Sequence, residues 1–181
     1  MRGGVIAFAS AMLIVGSTVA SAQEAVPLAE PDTTFIAEAI RGGLAEVELG
    51  RTGAQKASDP EVKRFAERMV TDHSATNDKL MALAKKHKIE AEGTYGTPPL
   101  RPEEKAQTNL EKLKTMSGKA FDQAFMSNMT KDHEKAVALF QDEAKNGKDQ
   151  EMQALASATL PTLNDHLETA RSLAKKVGAT P

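Results

Sequence analysis

Two nine-residue segments of the chain carry the same four residue types at the same spacing. The first reads Phe-Ala-Glu-Arg-Met-Val-Thr-Asp-His over residues 65–73, and the second reads Phe-Met-Ser-Asn-Met-Thr-Lys-Asp-His over residues 125–133. In an α-helix the Phe, Met and His of each segment fall along one stripe, whereas the Asp before each His points about 100° away. The pattern predicts two helices that direct His73 and His133 inward.

Two further polar residues are predicted at a similar depth. His166 lies on the inner face of the last helical segment and Glu46 on that of the first. A count of residues from the predicted turns, at about 1.5 Å per residue, places all four near the middle of a bundle. Three imidazoles and one carboxylate, each from a different helix, could hold a single Zn, Fe, Mn or Cu ion. Asn77 and Thr159 are predicted as hydrogen-bonding partners around this layer.

A metal-free layer explains the same residues. Buried ring nitrogens are normally satisfied by protein groups or water, so the histidines could bond to the neighbouring carboxyl, amide and hydroxyl groups or to one another. His87 lies among lysines near a helix end and is predicted to be solvated. The methionines have the spacing of core residues rather than of Cu(I) ligands. The residues alone leave both a metal site and a hydrogen-bonded layer open.

The elements that position these residues are all predicted helices, because every hydrophobic pattern has a period near 3.6. Two short turns, near residues 58–60 and 146–149, each join two predicted helices into a hairpin. The Pro- and Gly-rich residues 89–102 connect one hairpin to the other. We therefore predict an all-α, ferritin-like four-helix bundle with a long crossover and a short extra helix between helices 2 and 3. Pro161 predicts a kink in the last helix.

The N-terminus has the pattern of a cleavable signal peptide over residues 1–22. A basic Arg2 precedes an apolar run, which ends in Ala20-Ser21-Ala22. Residues 23–32 are predicted as a flexible lead-in with Asp32 or Thr34 as the helix cap, 33–177 as the bundle and 178–181 as a tail. The apolar run of about 15 residues is short for a bilayer span, and no later segment is long and apolar enough, so we expect no transmembrane span after cleavage. The predicted location is the periplasm or cell envelope.

Composition excludes several classes of site. The chain has no cysteine, which excludes a lipoprotein, a disulfide and a thiolate metal site. A formal net charge of -2 shows no excess of basic residues of the kind that binds nucleic acid. No phosphate-binding loop, nucleophile elbow or H-E-x-x-H motif occurs. A catalytic residue is therefore not predicted, and a role other than catalysis is favoured.

Four segments give the chain a resemblance to a family of exported bacterial proteins, domain of unknown function 4142, within the ferritin-like superfamily. Members often carry the label outer membrane protein. The resemblance covers about residues 33–177 and implies a ferritin-like bundle in the periplasm or envelope, with no established activity. The segments are Phe65-x-x-x-Met69-Val70-x-Asp72-His73-x-x-x-Asn77, Asp132-His133-Glu134 with Val137 and Leu139-Phe140, Leu160-Pro161-x-Leu163-x-x-His166-Leu167, and Glu46-Val47-Glu48-Leu49-Gly50.

The chain departs from the di-iron members of that superfamily, which place a Glu three residues before a His on two helices. Here Val70, Thr130 and Leu163 occupy those positions. Di-iron oxidase or iron-storage activity is therefore not expected.

Three functions stay open from the sequence. The first is an exported protein that binds a single metal ion and acts in envelope stress or metal homeostasis. The second is a metal-dependent oxidoreductase that uses the same layer, and the third is a metal-free structural bundle that binds an unknown protein partner or itself.

Overall fold

The computed structural model describes residues 28–89, 102 and 104–179. The predicted signal peptide, half of the predicted lead-in and most of the long crossover lie outside these residues. The described residues form five helices and no strand, which confirms the all-α, ferritin-like bundle with a short extra helix. The helices are α1 (Glu30–Lys56), α2 (Pro60–Lys86), α3 (Glu104–Lys114), α4 (Gly118–Asn146) and α5 (Gln150–Val177).

Two helical hairpins build the bundle. α1 packs against α2 and α4 packs against α5, while the short α3 touches α1 and α4. Gly50 and Gly53 let α1 approach α2 closely, because a Cβ atom at Gly50 would lie 2.9 Å from the Ala66 carbonyl oxygen and one at Gly53 would lie 2.7 Å from the Ala66 Cβ. The two glycines therefore serve helix packing.

The apolar core is divided into two clusters. One contains Met69 and Met129, and the other contains Leu80 and Val137. Each predicted inward histidine lies between residues of the two clusters along its own helix. The bundle therefore has an apolar core at each end and a polar layer between them.

The start of α1 differs from the sequence prediction. The helix begins at Glu30 with Pro31 in its first turn, and neither Asp32 nor Thr34 is its cap. Proline has the backbone geometry of a first helical turn, which allows the earlier start. The buried Asp32 carboxylate instead accepts hydrogen bonds from the backbone N–H groups of Lys148 (2.7 Å) and Asp149 (3.2 Å) in the turn of the other hairpin.

The same arrangement occurs at the other turn. The buried Asp122 of α4 accepts hydrogen bonds from the backbone N–H groups of Ser58 (3.0 Å) and Asp59 (2.9 Å), and from the Ser58 hydroxyl. The first helix of each hairpin thus caps the turn of the other. Asp32, Phe35 and Asp59 are matched by residues of the same types 90 positions later. The two hairpins are reciprocally capped at equivalent positions.

The last helix continues through its internal proline. α5 runs from Gln150 to Val177 as one helix that contains Pro161. Pro161 and Ser157 are both exposed, so the Ser157 carbonyl that loses its helical partner is open to water. The proline therefore lies on the exposed side of the helix.

We expect Asp122→Asn to lower the free energy of unfolding by about 2 kcal/mol, since the carboxylate serves three donors and an amide offers one oxygen fewer. Urea denaturation would measure the change. Asp78→Asn, at an exposed position of α2, is the matched control and should stay within about 0.5 kcal/mol of the parent. Equal stability of the two variants would show that the cross-hairpin cap contributes nothing.

Candidate metal centre

Three histidines from three helices meet between the two apolar clusters. His73 of α2, His133 of α4 and His166 of α5 are 7%, 0% and 1% exposed. One ring nitrogen from each lies within 4.8 Å of the other two, and the His73 Nε2 and His133 Nε2 atoms are 3.4 Å apart. The ring centroids are 5.4 to 5.5 Å apart in all three pairs. The repeated segments therefore do direct their histidines to one point.

Hydrogen bonds fix which nitrogen of two rings faces the others. The His133 Nδ1 atom lies 2.9 Å from the Met129 carbonyl oxygen, and the His166 Nε2 atom lies 2.8 Å from the Asp72 Oδ2 atom. Both oxygens act as acceptors, so each ring nitrogen must carry the proton and donate. His133 then keeps a lone pair on Nε2 and His166 keeps one on Nδ1. The His166 Nδ1 atom is buried and has no hydrogen-bond partner.

Asp72 also contacts the histidine layer, and the sequence pattern alone did not assign it this contact. Besides accepting from His166, its Oδ2 atom lies 3.1 Å from the Arg68 Nε atom, and Arg68 Nη1 lies 2.5 Å from Asp165 Oδ2 on α5. The signal was present in the repeated segment, because the Asp before His73 points about 100° away from it along the helix. On α2 that direction leads to the neighbouring α5.

Burial keeps the three imidazoles neutral. It lowers the pKa of His73 to about 3, with further lowering from His133 and His166. Burial also lowers the pKa of His133 to about 4, although the hydrogen bond to Met129 opposes the shift. The pKa of His166 is lowered by burial despite the hydrogen bond to Asp72. At neutral pH the rings therefore present unprotonated nitrogens, the form that binds a metal ion.

Glu46 lies beside the histidines but outside the cluster defined by that 4.8 Å spacing. It lines a cavity of about 290 Å³ together with His73, His133 and Asn77. Burial, and then the nearby Asp132, raise the pKa of Glu46 well above its ordinary value. Its Oε2 atom is buried and has no hydrogen-bond partner. Glu46 therefore lines the cavity with one buried oxygen that no protein group contacts by a hydrogen bond.

The two residues predicted around the layer have different surroundings. Asn77 is buried in the wall of the cavity, and its Oδ1 atom also has no partner. It occupies the space that Gly43 leaves, since a Cβ at Gly43 would lie 2.0 Å from that Oδ1 atom. The Thr159 hydroxyl donates to the Leu155 carbonyl oxygen of its own helix at 2.7 Å.

His87 is separate from the centre. Its Nε2 atom lies 3.6 Å from the Asp149 Oδ2 atom near the α4–α5 turn, and its side chain is 12% exposed. The prediction that this ring is solvated is therefore wrong, because the neighbouring turn covers it. Within residues 28–89, 102 and 104–179, the only grouping of three or more His, Cys, Asp or Glu residues with metal-binding spacing is His73, His133 and His166.

No helix in the described part of the chain combines the length and apolar character needed to span a membrane. This finding concerns the bundle helices α1 to α5.

Solved structures with a similar fold share little sequence with the chain. A DUF305 fragment from Deinococcus radiodurans has a TM-score of 0.69 at 16% identity, covering 83% of this chain and 99% of its own. A "putative secreted protein DUF305" from Streptomyces coelicolor has a TM-score of 0.70 at 16% identity, covering 83% and 95%. CopM in the Cu(II)-bound form has a TM-score of 0.64 at 17% identity, covering 80% and 96%. At these identities the similarity establishes the fold.

The sequence itself identifies a family. Among curated proteins no significant match to the chain is found. The model of the family described as "Domain of unknown function (DUF4142)" matches residues 17–173, which include all three histidines of the centre. The chain therefore belongs to the DUF4142 family.

Proposed function

We propose that the chain is an exported metal-binding protein that holds one transition-metal ion through His73, His133 and His166 and acts in metal homeostasis of the cell envelope. The observation that carries this proposal is the convergence of three buried imidazoles. In two of them, His133 and His166, the N–H group on the outer side of the ring already donates a hydrogen bond to a protein oxygen. That arrangement leaves the inner nitrogens free as ligands. Metal-binding histidines commonly have this outer support from a carbonyl or carboxylate oxygen.

The spacing of the nitrogens fits a single ion. Two nitrogens bound to one ion at about 2.05 Å in tetrahedral geometry are separated by roughly 3.3 Å. The His73 Nε2 and His133 Nε2 atoms are 3.4 Å apart, so little movement would be needed between them. In the metal-free protein the same distance allows one ring to donate a weak hydrogen bond to the other.

The chemistry of the ligands favours copper or zinc. Imidazole nitrogens suit Zn, Cu, Fe and Ni, whereas Mg, Ca and Mn prefer oxygen ligands. Copper(II) has the highest affinity in the divalent first-row series, and the similarly folded CopM has been seen in a Cu(II)-bound form. Cu(II) is therefore the first ion to test and Zn(II) the second.

The ligand set proposed here is smaller than the one expected from the sequence. Glu46 was expected as a fourth ligand, but its carboxyl group lines the cavity and is not part of the three-nitrogen cluster. Three protein ligands leave one position on the ion free. His73 and His133 both line the cavity, so a further ligand could reach a bound ion from it.

Export is proposed from the N-terminal pattern. Residues 1–22 have the basic start, apolar run and small-residue cleavage site of a signal peptide. A fold neighbour described as a putative secreted protein supports this location.

Metal content tests the proposal directly. We expect the purified protein, loaded with Cu(II) and desalted, to retain about one ion per chain by elemental analysis, because three preformed ligands converge on one point. His73→Ala and His133→Ala should each weaken binding by about a hundredfold or more, since loss of a supporting outer-shell partner already costs 10- to 100-fold.

The fourth histidine provides the matched control for this experiment. His87→Ala removes an imidazole that lies outside the centre and should retain the ion with unchanged affinity. If neither Cu(II) nor Zn(II) binds the parent protein tightly, the three histidines form a hydrogen-bonded polar core instead.

Asp72→Asn should weaken metal affinity by about 10- to 100-fold while His73, His133 and His166 all remain. The neutral amide holds the His166 N–H less strongly than the carboxylate does, so the ring is less basic and less well oriented. Competition with a chromophoric chelator would measure the affinity. Asp78→Asn on the same helix should match the parent, and equal affinities for all three proteins would remove Asp72 from the centre.

Acid should destabilise the metal-free protein through the same histidines. The unfolded chain binds protons with a pKa near 6.5, whereas folded His73 and His133 stay neutral until about pH 3 and 4. The unfolded state therefore binds more protons as the pH falls through 6.5, and the free energy of unfolding decreases. Each of these two residues should contribute a loss of about 2 kcal/mol between pH 7 and pH 5.

Urea denaturation at several pH values would measure this loss. His73→Leu should show a smaller decrease than the parent between pH 7 and pH 5, because it lacks one of the two groups. A variant that loses stability as steeply as the parent would show that other groups control the acid sensitivity.

A further inference from the structure

The cavity approaches the metal centre from one side. Residues of α1, α2, α3, α4 and α5 contribute to its wall, and both His73 and His133 border it. His166 does not line it, although its ring lies within 5.5 Å of both of the others by centroid distance. An ion that moved through this cavity would therefore meet the His73 and His133 rings first.

Two oxygen atoms in the cavity wall have no partner in the protein. They are Glu46 Oε2 and Asn77 Oδ1, and their residues are 7% and 4% exposed. Unpartnered buried oxygens need a donor or a cation, because burial removes them from bulk water. Gly43 makes room for the Asn77 oxygen, since a side chain there would collide with it. The fold therefore keeps two oxygen ligands beside two imidazoles in one cavity.

The remaining wall carries charges of both signs. Glu38 and Asp132 add carboxylates to the lining, while Arg41, Lys105 and Lys135 add positive charges, so the cavity is not a strongly anionic funnel. Its volume of about 290 Å³ accommodates an ion with part of its water shell. Oxygen ligands can replace those waters one at a time before the ion reaches the nitrogens.

We infer that this cavity is the entry route of the metal ion, and that Glu46 and Asn77 are the oxygen ligands that the ion meets before it reaches His73 and His133. The inference rests on the proposed metal-binding function. Glu46 then acts on the rate of metal uptake, and the three histidines determine the final affinity.

The test is the rate of Cu(II) association with the metal-free protein, followed by stopped-flow visible absorption, together with the equilibrium dissociation constant. Ala136→Leu fills the cavity, and Ala138→Leu adds the same volume at an exposed position of the same helix. We expect Ala136→Leu to bind Cu(II) about tenfold more slowly with an unchanged dissociation constant, whereas Ala138→Leu matches the parent.

A second pair of variants tests the oxygen ligand itself. Glu46→Gln should also slow Cu(II) association about tenfold, because the ion loses one polar contact in the entry step. Glu48→Gln, on the exposed face of α1, is the control and should bind Cu(II) as fast as the parent. Circular dichroism would confirm that the variants are folded.

Three results would overturn the inference. Ala136→Leu and Glu46→Gln that bind as fast as the parent would place the route elsewhere. Glu46→Gln with a normal association rate but weaker equilibrium binding would make Glu46 a resident ligand. A parent protein that binds no Cu(II) or Zn(II) at equilibrium would overturn the proposed function as well, and this outcome is visible before any rate is measured.

Discussion

A buried neutral imidazole has one nitrogen that donates and one that accepts, and a protein interior must provide for both. In this bundle the donors of His133 and His166 are served by the Met129 carbonyl and the Asp72 carboxylate. The accepting nitrogens turn toward one another, where no protein group supplies enough protons for all of them. The His166 Nδ1 atom is thereby left without a hydrogen-bond partner. A cation that accepts three lone pairs resolves this lack of donors at once.

The sequence was sufficient for most of the fold because helix periodicity and turn chemistry are local. Turns were predicted near residues 58–60 and 146–149, and there Asp59 and Asp149 cap their helices by accepting backbone N–H groups of the first turn. Asp32 could not be assigned from local pattern, because its partners lie in a turn more than a hundred residues away in the chain. Its position near a helix start is typical of a cap. Its carboxylate instead accepts hydrogen bonds from a turn that is distant in the sequence.

The site shows the same limit. The stripe of Phe, Met and His predicted that His73 and His133 point inward, and they do meet. Whether Glu46 reaches the same point depends on the tilt and separation of helices, which periodicity does not encode. A carboxyl on the correct face and at about the correct depth can still face a neighbouring cavity. The sideways Asp72 was visible in the pattern, but its partner on α5 became apparent only when the helices were packed.

The reciprocal capping of the two hairpins has a consequence for the centre. Asp32 and Asp122 are 90 residues apart. At the same offset, Gly43 is equivalent to His133 and His73 is equivalent to Leu163. The capped ends of the two hairpins thus correspond to each other, whereas the residues of the central polar layer do not. At the position equivalent to His133 the first half has Gly43, and the Asn77 side chain occupies the space that this glycine leaves. Because the two halves differ at this depth, the polar layer has two unlike sides. The cavity lies on one side, and Asp72 and Arg68 close the layer on the other.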